Sequence, residues 1–377
     1  MTSEKMDKKF VRAALCAACA LGIFALFGGC VPDEPLKIAY NDAPASLNDG
    51  WAIAAPESQG IDRTRLREAY RHFFSENEYI TARSLLVVRN GYLVAEGYCR
   101  DREDILHKGA LQSATKSVTS LLVGIAMDRG LLDSVDRTIY SVIPEEFGND
   151  PAKKAITLRH LLTMRSGLSF SNDHFTLEMA YDVRGDGIAH ILSKPLINEP
   201  GTFFNYQDCD PQLVSAALQR LVGTSLEEFA RTNLFAKIGI GDYVWLAHRD
   251  GTTYGPYGLY LRPRDLARIG KLVAQKGSWE GEQVVSEAWV ALSTAKQGDL
   301  DPADQSLGFD YGFYWWRSPA DGAFTAFGHG GQYILVVPDK NLVIVLTAEP
   351  DTNGDTSEIG LPQFLVLARI IIAAAGS

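Results

Sequence analysis

Strand-like sequence is confined to the two ends of this chain, while helical sequence fills the middle. Near the start, Ser84 to Tyr98 reads as a hairpin: Leu85-Leu86-Val87-Val88, a turn at Asn90-Gly91, then Tyr92-Leu93-Val94-Ala95. Asn-Gly favours the positive φ angles of a tight two-residue turn. Tyr311–Arg317, Tyr333–Val337 and Leu342–Leu346 are strand-like again far downstream. Helices flank these strands. Asp62 is a candidate N-cap for residues 62–76, where Leu66, Tyr70, Phe73 and Phe74 share one face. Leu361–Ala375 closes the chain, with Pro362 near its start. In the middle, Ser113–Arg129 is stopped by Gly130 and Pro211–Val222 by Gly223. Ser225-Leu226-Glu227-Glu228 spells a capping box, and Arg264–Lys276 and Ser286–Ala295 are helical as well. The expected fold is α+β, with an antiparallel sheet built from both chain ends and flanked by helices. A mostly helical inserted region covers about residues 113–300.

Composition narrows the partners. Of 377 residues, 46% are hydrophobic and 22% charged, which suits a globular chain with a real core. Lys and Arg number 36 against 46 Asp and Glu, for a net charge of −10. An acidic chain without basic runs is a poor ligand for a phosphate backbone, so no nucleic-acid partner is expected. The seven histidines and five cysteines are scattered, with no C-x-x-C pair and no H-E-x-x-H, so no metal is expected.

The first thirty residues read as a targeting segment. Lys5, Lys8, Lys9 and Arg12 precede an uncharged, apolar stretch from Ala13 to Gly29. That stretch is short of the roughly 20 residues a membrane span needs. It ends in Phe27-Gly28-Gly29-Cys30, which resembles a bacterial lipoprotein cleavage site. Residues 1–29 are then a lipoprotein-type signal peptide, Cys30 the lipid-bearing N-terminus, 30–54 a tether and 55–377 the folded domain. The alternative is an uncleaved anchor helix. Both put the body outside the cytoplasm, in the cell envelope. Losing residues 1–29 removes four bases and two acids, taking the net charge from −10 to −12. Cys99 and Cys209 then remain unmodified and could form at most one disulfide.

Three motifs carry the chemistry. In Ser113-Ala114-Thr115-Lys116, a helix sets Ser113 and Lys116 on one face. Serine is a weak nucleophile until a neighbour takes its proton, and lysine can do so only when neutral. Val118, Leu121, Leu122 and Ile125 follow at helical spacing, which buries the helix as that requires. The helix N-terminus also aims N–H groups towards charge developing at Ser113. Alone, the motif equally fits a capped helix with an exposed lysine. The second motif is Phe203-Phe204-Asn205-Tyr206-Gln207-Asp208, in the loop before the Pro211 helix, where Tyr206 is a proton shuttle or a core aromatic. The third is Phe327-Gly328-His329-Gly330-Gly331-Gln332, entering the Tyr333 strand. Paired glycines there let a substrate lie along the strand edge, with the Gln332 N–H as a candidate oxyanion donor. It is otherwise a tight turn with a surface histidine. No G-x-S-x-G elbow is present, which argues against an α/β-hydrolase.

Together, in this order, the three motifs resemble the serine β-lactamase, penicillin-binding and esterase superfamily. The likeness is strongest to its class C-like branch of esterases and 6-aminohexanoate-dimer hydrolases, and it spans about residues 55–375. Leu158–Leu168, Asn233–Ile240 and Gly258–Arg268 support it without carrying chemistry. The resemblance implies that Ser113 is the acylated nucleophile, Lys116 its general base, and Tyr206 the tyrosine of a Y-x-N motif. Gly330 and Gly331 match the strand motif, with His329 where many lactamases have lysine. It further implies a tetrahedral intermediate held by the Ser113 and Gln332 N–H groups, deacylation by water, and no cofactor.

Two departures matter. Asp208 stands where that motif has asparagine, and an ionised carboxylate only accepts hydrogen bonds. Near Lys116 it would favour the charged lysine and weaken the base. The benign alternative makes it a cap for the Pro211 helix. His329 in place of lysine removes a charge that would attract a β-lactam carboxylate, and so points to a neutral ester or linear amide. Three readings follow: a lipid-anchored serine hydrolase of small esters or amides; a β-lactamase or D-alanyl carboxypeptidase; an inactive surface-binding protein. The aromatics of the loops Ser169–Arg184 and Asp250–Tyr260, Phe170, Phe175, Tyr181, Tyr254 and Tyr257, fit an apolar acyl or leaving group and, with Trp315 and Trp316, fit the core equally well.

Overall fold

The two ends of the chain meet in one sheet. The computed structural model describes residues 39–41, 44–74, 79–99, 102–147, 150–170, 187–300, 308–349 and 359–376. The targeting segment, Cys30 and residues 171–184 of the Ser169 loop lie outside the described residues. The sheet strands are β1 (Ala39–Asn41), β2 (Ala82–Arg89), β3 (Tyr92–Tyr98), β4 (Asp310–Tyr311), β5 (Trp316–Ser318), β6 (Ala323–Gly328), β7 (Gln332–Val337) and β8 (Leu342–Ala348). Their order is β1-β3-β2-β8-β7-β6-β5-β4, antiparallel throughout. The N-terminal hairpin turns at Asn90 and Gly91, both at positive φ (52° and 83°), and pairs through β2 with C-terminal β8.

Helices cover both faces. Tyr333 stacks on Phe364 of the closing helix, Leu361–Ala374, with ring centroids 4.1 Å apart. Its neighbour Ile334 abuts Gly270 of the helix Pro263–Ala274, where a Cβ would lie 2.9 Å from Ile334 and 2.3 Å from Val343. Successive strand residues face opposite sides, so these two helices sandwich the sheet. The helix Arg63–Phe73 joins the first layer, started by Asp62, whose carboxylate accepts from the Thr64 and Arg65 N–H groups.

Several expectations need correction. Tyr311–Arg317 is not one strand: the chain reverses at Gly312–Trp315, with Tyr314 at φ 65°, so β4 and β5 pair with each other. β6 was not expected; Phe-Thr-Ala-Phe gives a short run with little alternation. Ser225 caps its helix through the Glu228 N–H, but the Glu228 carboxylate pairs with Arg231 instead of completing a box. Part of the tether stretch is built into the fold. β1 pairs with β3, and buried Arg264 ties down the Ala45 carbonyl and the Asp49 carboxylate while holding Glu96. That anchor lies far away in sequence and leaves no local periodicity. Cys99 and Cys209 are both buried and unbridged.

Candidate active site

Ser113 sits in a single 3-10 turn, Gln112–Ala114, that runs straight into the helix α1, Thr115–Asp128. The expected helix therefore starts two residues after the serine, yet the spacing still works: Lys116 Nζ lies 2.7 Å from Ser113 Oγ. Every residue from Thr115 to Ala126 is buried, because small Ser, Thr and Gly let neighbours approach the faces that Leu and Val do not fill. Lys116 is only 1% exposed, unlike the lysine of a simple capped surface helix.

The second helix of the site, α2, spans Cys209–Val222, two residues earlier than its sequence suggests. Asp208 precedes it at φ −85° and ψ −19° and makes no capping hydrogen bond. Its carboxylate instead accepts from Lys116 Nζ at 2.7 Å, so the capping expectation is corrected. Lys116 also donates to the Pro256 carbonyl at 3.2 Å. Ser113, Asp208 and Pro256 thus all accept from Lys116 Nζ, which Tyr206 also hydrogen-bonds. Burial pulls the Lys116 pKa down, but the Asp208 charge and then Tyr206 more than offset it, and the balance lies above 10.5.

Tyr206 completes the group from the loop before α2. Lys116 Nζ lies 5.0 Å from its ring centroid. Tyr311 meets the ring edge-on at 6.2 Å, and Trp316 leans on it at 5.5 Å. The aromatics around the β4–β5 reversal are therefore the seat of Tyr206. Ser117 of α1 fixes that reversal by donating to the Tyr314 carbonyl at 2.6 Å.

Beneath this loop lies a carboxylate that sequence reasoning missed. Asp210 is fully buried and accepts from Gln207 Nε2 at 3.0 Å and the Ser166 N–H at 3.3 Å. Gln207 also donates to Ser166 Oγ at 2.9 Å. These bonds lace residues 205–210 to the turn at Ser166. Burial raises the Asp210 pKa to about 7, against the pull of hydrogen bonds from Ser166, Cys209 and Gln207. Its signal was the acid inside a sequence otherwise reading as a buried helix start.

The glycine-rich motif is a hairpin turn rather than the entry to a single strand. β6 ends at Gly328 and β7 begins at Gln332. A Cβ on Gly328 would lie 2.1 Å from the Leu111 carbonyl oxygen, so only glycine lets the sheet touch the backbone leading to Ser113. Gly330 and Gly331 turn at φ 78° and 95°. His329 is exposed, whereas Gln332 is buried with its side-chain amide donating to the Ala348 carbonyl. The fold thus assembles Ser113, Lys116, Tyr206 and Asp208 and sets the Gly328–Gln332 turn beside the turn that carries Ser113. Among the described residues, no group of three His, Cys, Asp or Glu side chains could hold a metal ion.

A family model described as Beta-lactamase matches residues 80–360. An acyltransferase of Penicillium decumbens is 34% identical over 162 residues, a match covering 37% of this chain and 38% of that protein. The match thus spans little more than a third of that relative's length. A 6-aminohexanoate-dimer hydrolase of Paenarthrobacter ureafaciens is 24% identical over 295 residues, covering 72% of this chain and 73% of that one. Among solved structures, a family VIII carboxylesterase superposes with a TM-score of 0.64 at 17% identity, covering 86% of this chain and 99% of its own.

Proposed function

The chain belongs to the Beta-lactamase family, whose members among its relatives include hydrolases, and we propose that it is a serine hydrolase of small esters or linear amides. The observation that carries this reading is the chain of contacts from Ser113 through Lys116 to Asp208, each 2.7 Å long. Because Lys116 is charged, it cannot accept the serine proton without first giving one up. In the proposed step Lys116 passes a proton to Asp208 and takes the Ser113 proton in its place. Ser113 Oγ bonds to the substrate carbonyl carbon, and the carbonyl π pair becomes the oxyanion beside the Ser113 and Gln332 N–H groups. The leaving group breaks away as it receives the proton back, through Lys116 or Tyr206. Water then attacks the acyl-enzyme by the same relay in reverse.

Asp208 is thus Lys116's partner in this scheme and not a donor to substrate. His329, where many lactamases have lysine, supports a neutral substrate over a β-lactam. The test is nitrophenol release from p-nitrophenyl butyrate by wild type beside Ser113→Ala. Loss of turnover in the variant supports the assignment, and equal turnover in both refutes it. The acyltransferase relatives support a second reading, in which an alcohol replaces water in the last step. Added alcohol then yields a new ester instead of the free acid. On sequence alone we also propose that Cys30 carries lipid and holds the protein in the cell envelope. Palmitate labelling that survives Cys30→Ser would rule this out.

A further inference from the structure

A cavity of about 240 Å³ borders both backbone segments proposed to hold the oxyanion. Leu111, which leads into the Ser113 turn, lines it, and so does Gln332. Ser113, Lys116, Tyr206 and Asp208 do not, so the cavity is separate from the catalytic group. It is smaller than the roughly 300–1,000 Å³ of pockets for drug-sized ligands, and so suits a small molecule. Leu111, Leu261, Pro263 and Leu266 give it an apolar wall.

The other wall carries Arg83, Asp104, Lys108 and Glu349, and their ion pairs are of two kinds. Asp104 is 1% exposed and accepts from Arg83 Nε at 2.9 Å and Nη2 at 2.6 Å, which fixes the guanidinium in place. Arg83 Nη1 instead donates to Glu349 at 3.2 Å, and that carboxylate is 46% exposed. Lys108 likewise pairs with the exposed carboxylate of Asp242, which Arg262 also holds. Exposed pairs contribute little, because water competes for both partners. A carboxylate entering the cavity therefore replaces Glu349 on Arg83 and draws Lys108 from Asp242 at little cost. The buried Asp104 pair stays intact, and Asp242 keeps Arg262.

We propose that this cavity is a binding site for a small monocarboxylate with a short alkyl chain, its charge on Arg83 and Lys108 and its chain on the leucine wall. The acid that the proposed hydrolysis releases is of this class; that identification rests on the hydrolase reading, whereas the site itself does not. The probe is butyrate, titrated calorimetrically into wild type, Lys108→Gln and Glu349→Gln, with neutral butyramide beside it. Glu287→Gln removes an exposed carboxylate outside the cavity and controls for net charge. Butyrate should bind wild type more tightly than butyramide does. Lys108→Gln should weaken it about two- to fivefold, the scale of an exposed ion pair. Glu349→Gln removes the competing carboxylate and should tighten it by a similar factor, with Glu287→Gln unchanged. The absence of butyrate binding by wild type overturns the proposal, as do equal affinities for butyrate and butyramide. A Glu287→Gln effect as large as that of Glu349→Gln overturns it too, as does any failure of the two cavity variants to move in opposite directions. Ester turnover that survives Ser113→Ala removes the hydrolase reading instead, while the titrations still decide the carboxylate site.

Discussion

Replacing Asp208 by asparagine separates two opposing influences on Lys116. In the native site the ion pair is 2.7 Å long, and its side chains are 1% and 9% exposed. Breaking a pair this buried costs about 3–5 kcal/mol if the remaining charge stays in place. Lysine has another course, which is to lose its proton. Without the carboxylate, burial, already the largest single influence, is opposed only by Tyr206 and is expected to take the Lys116 pKa below its ordinary value.

The signs are then opposite in the two proteins. In wild type the folded pKa is raised, so the contribution of Lys116 to stability is complete below pH 10.5 and is lost only above it. Between pH 6 and 9 it is flat. In Asp208→Asn a folded pKa below the ordinary value lets the unfolded chain bind the extra proton as pH approaches 10.5, so stability climbs with pH by up to about 1.4 kcal/mol per unit. Urea unfolding at pH 6 and pH 9 reads this directly: the variant loses several kcal/mol at pH 6 and recovers much of it at pH 9. Ester turnover gains a limb in the same range, rising with pH as neutral Lys116 accepts the Ser113 proton without a relay. Equal destabilisation at both pH values, with a rate profile superimposing on wild type, would refute the coupling.

Asp210 gives a slope of the other sign. Its folded pKa of about 7 exceeds the ordinary 3.8, so the folded state holds the proton more tightly and stability falls as pH rises from about 4 to 7. The full loss is on the order of 4 kcal/mol, and Asp210→Asn should therefore gain on wild type at pH 8 while nearly matching it at pH 4; an equal difference at both would contradict this. Gly328→Ala forces a methyl to within 2.1 Å of the Leu111 carbonyl, so the turn that carries Ser113 must shift. Ester turnover should drop at least roughly tenfold with the far-UV spectrum preserved, since a misplacement near 1 Å costs about a hundredfold; full activity would show that the two turns are not coupled.

What could be read from the sequence follows from how far each signal reaches along the chain. The Asn90-Gly91 hairpin, the Asp62 cap and the Ser113–Lys116 spacing are local, and each appears where its residues stand. The α+β assignment followed because strand pattern at two distant ends has one economical solution, a shared sheet, and β2 does pair with β8. The role of Asp208 was different. Sequence offered two fates for it, a helix cap or a neighbour of Lys116, and the decision turned on the backbone conformation at the helix entry. With α2 starting at Cys209, Asp208 holds the capping position, but its backbone is already helical (φ −85°, ψ −19°) rather than extended and its carboxylate accepts from Lys116 instead. No propensity argument resolves a boundary that finely. Pro256 lies 140 positions from Lys116 and contributes a carbonyl, which any residue has, so its identity holds no trace of the role. The residues that bond to the candidate nucleophile were legible. Those that set the charge of Lys116 are defined by contacts made only on folding.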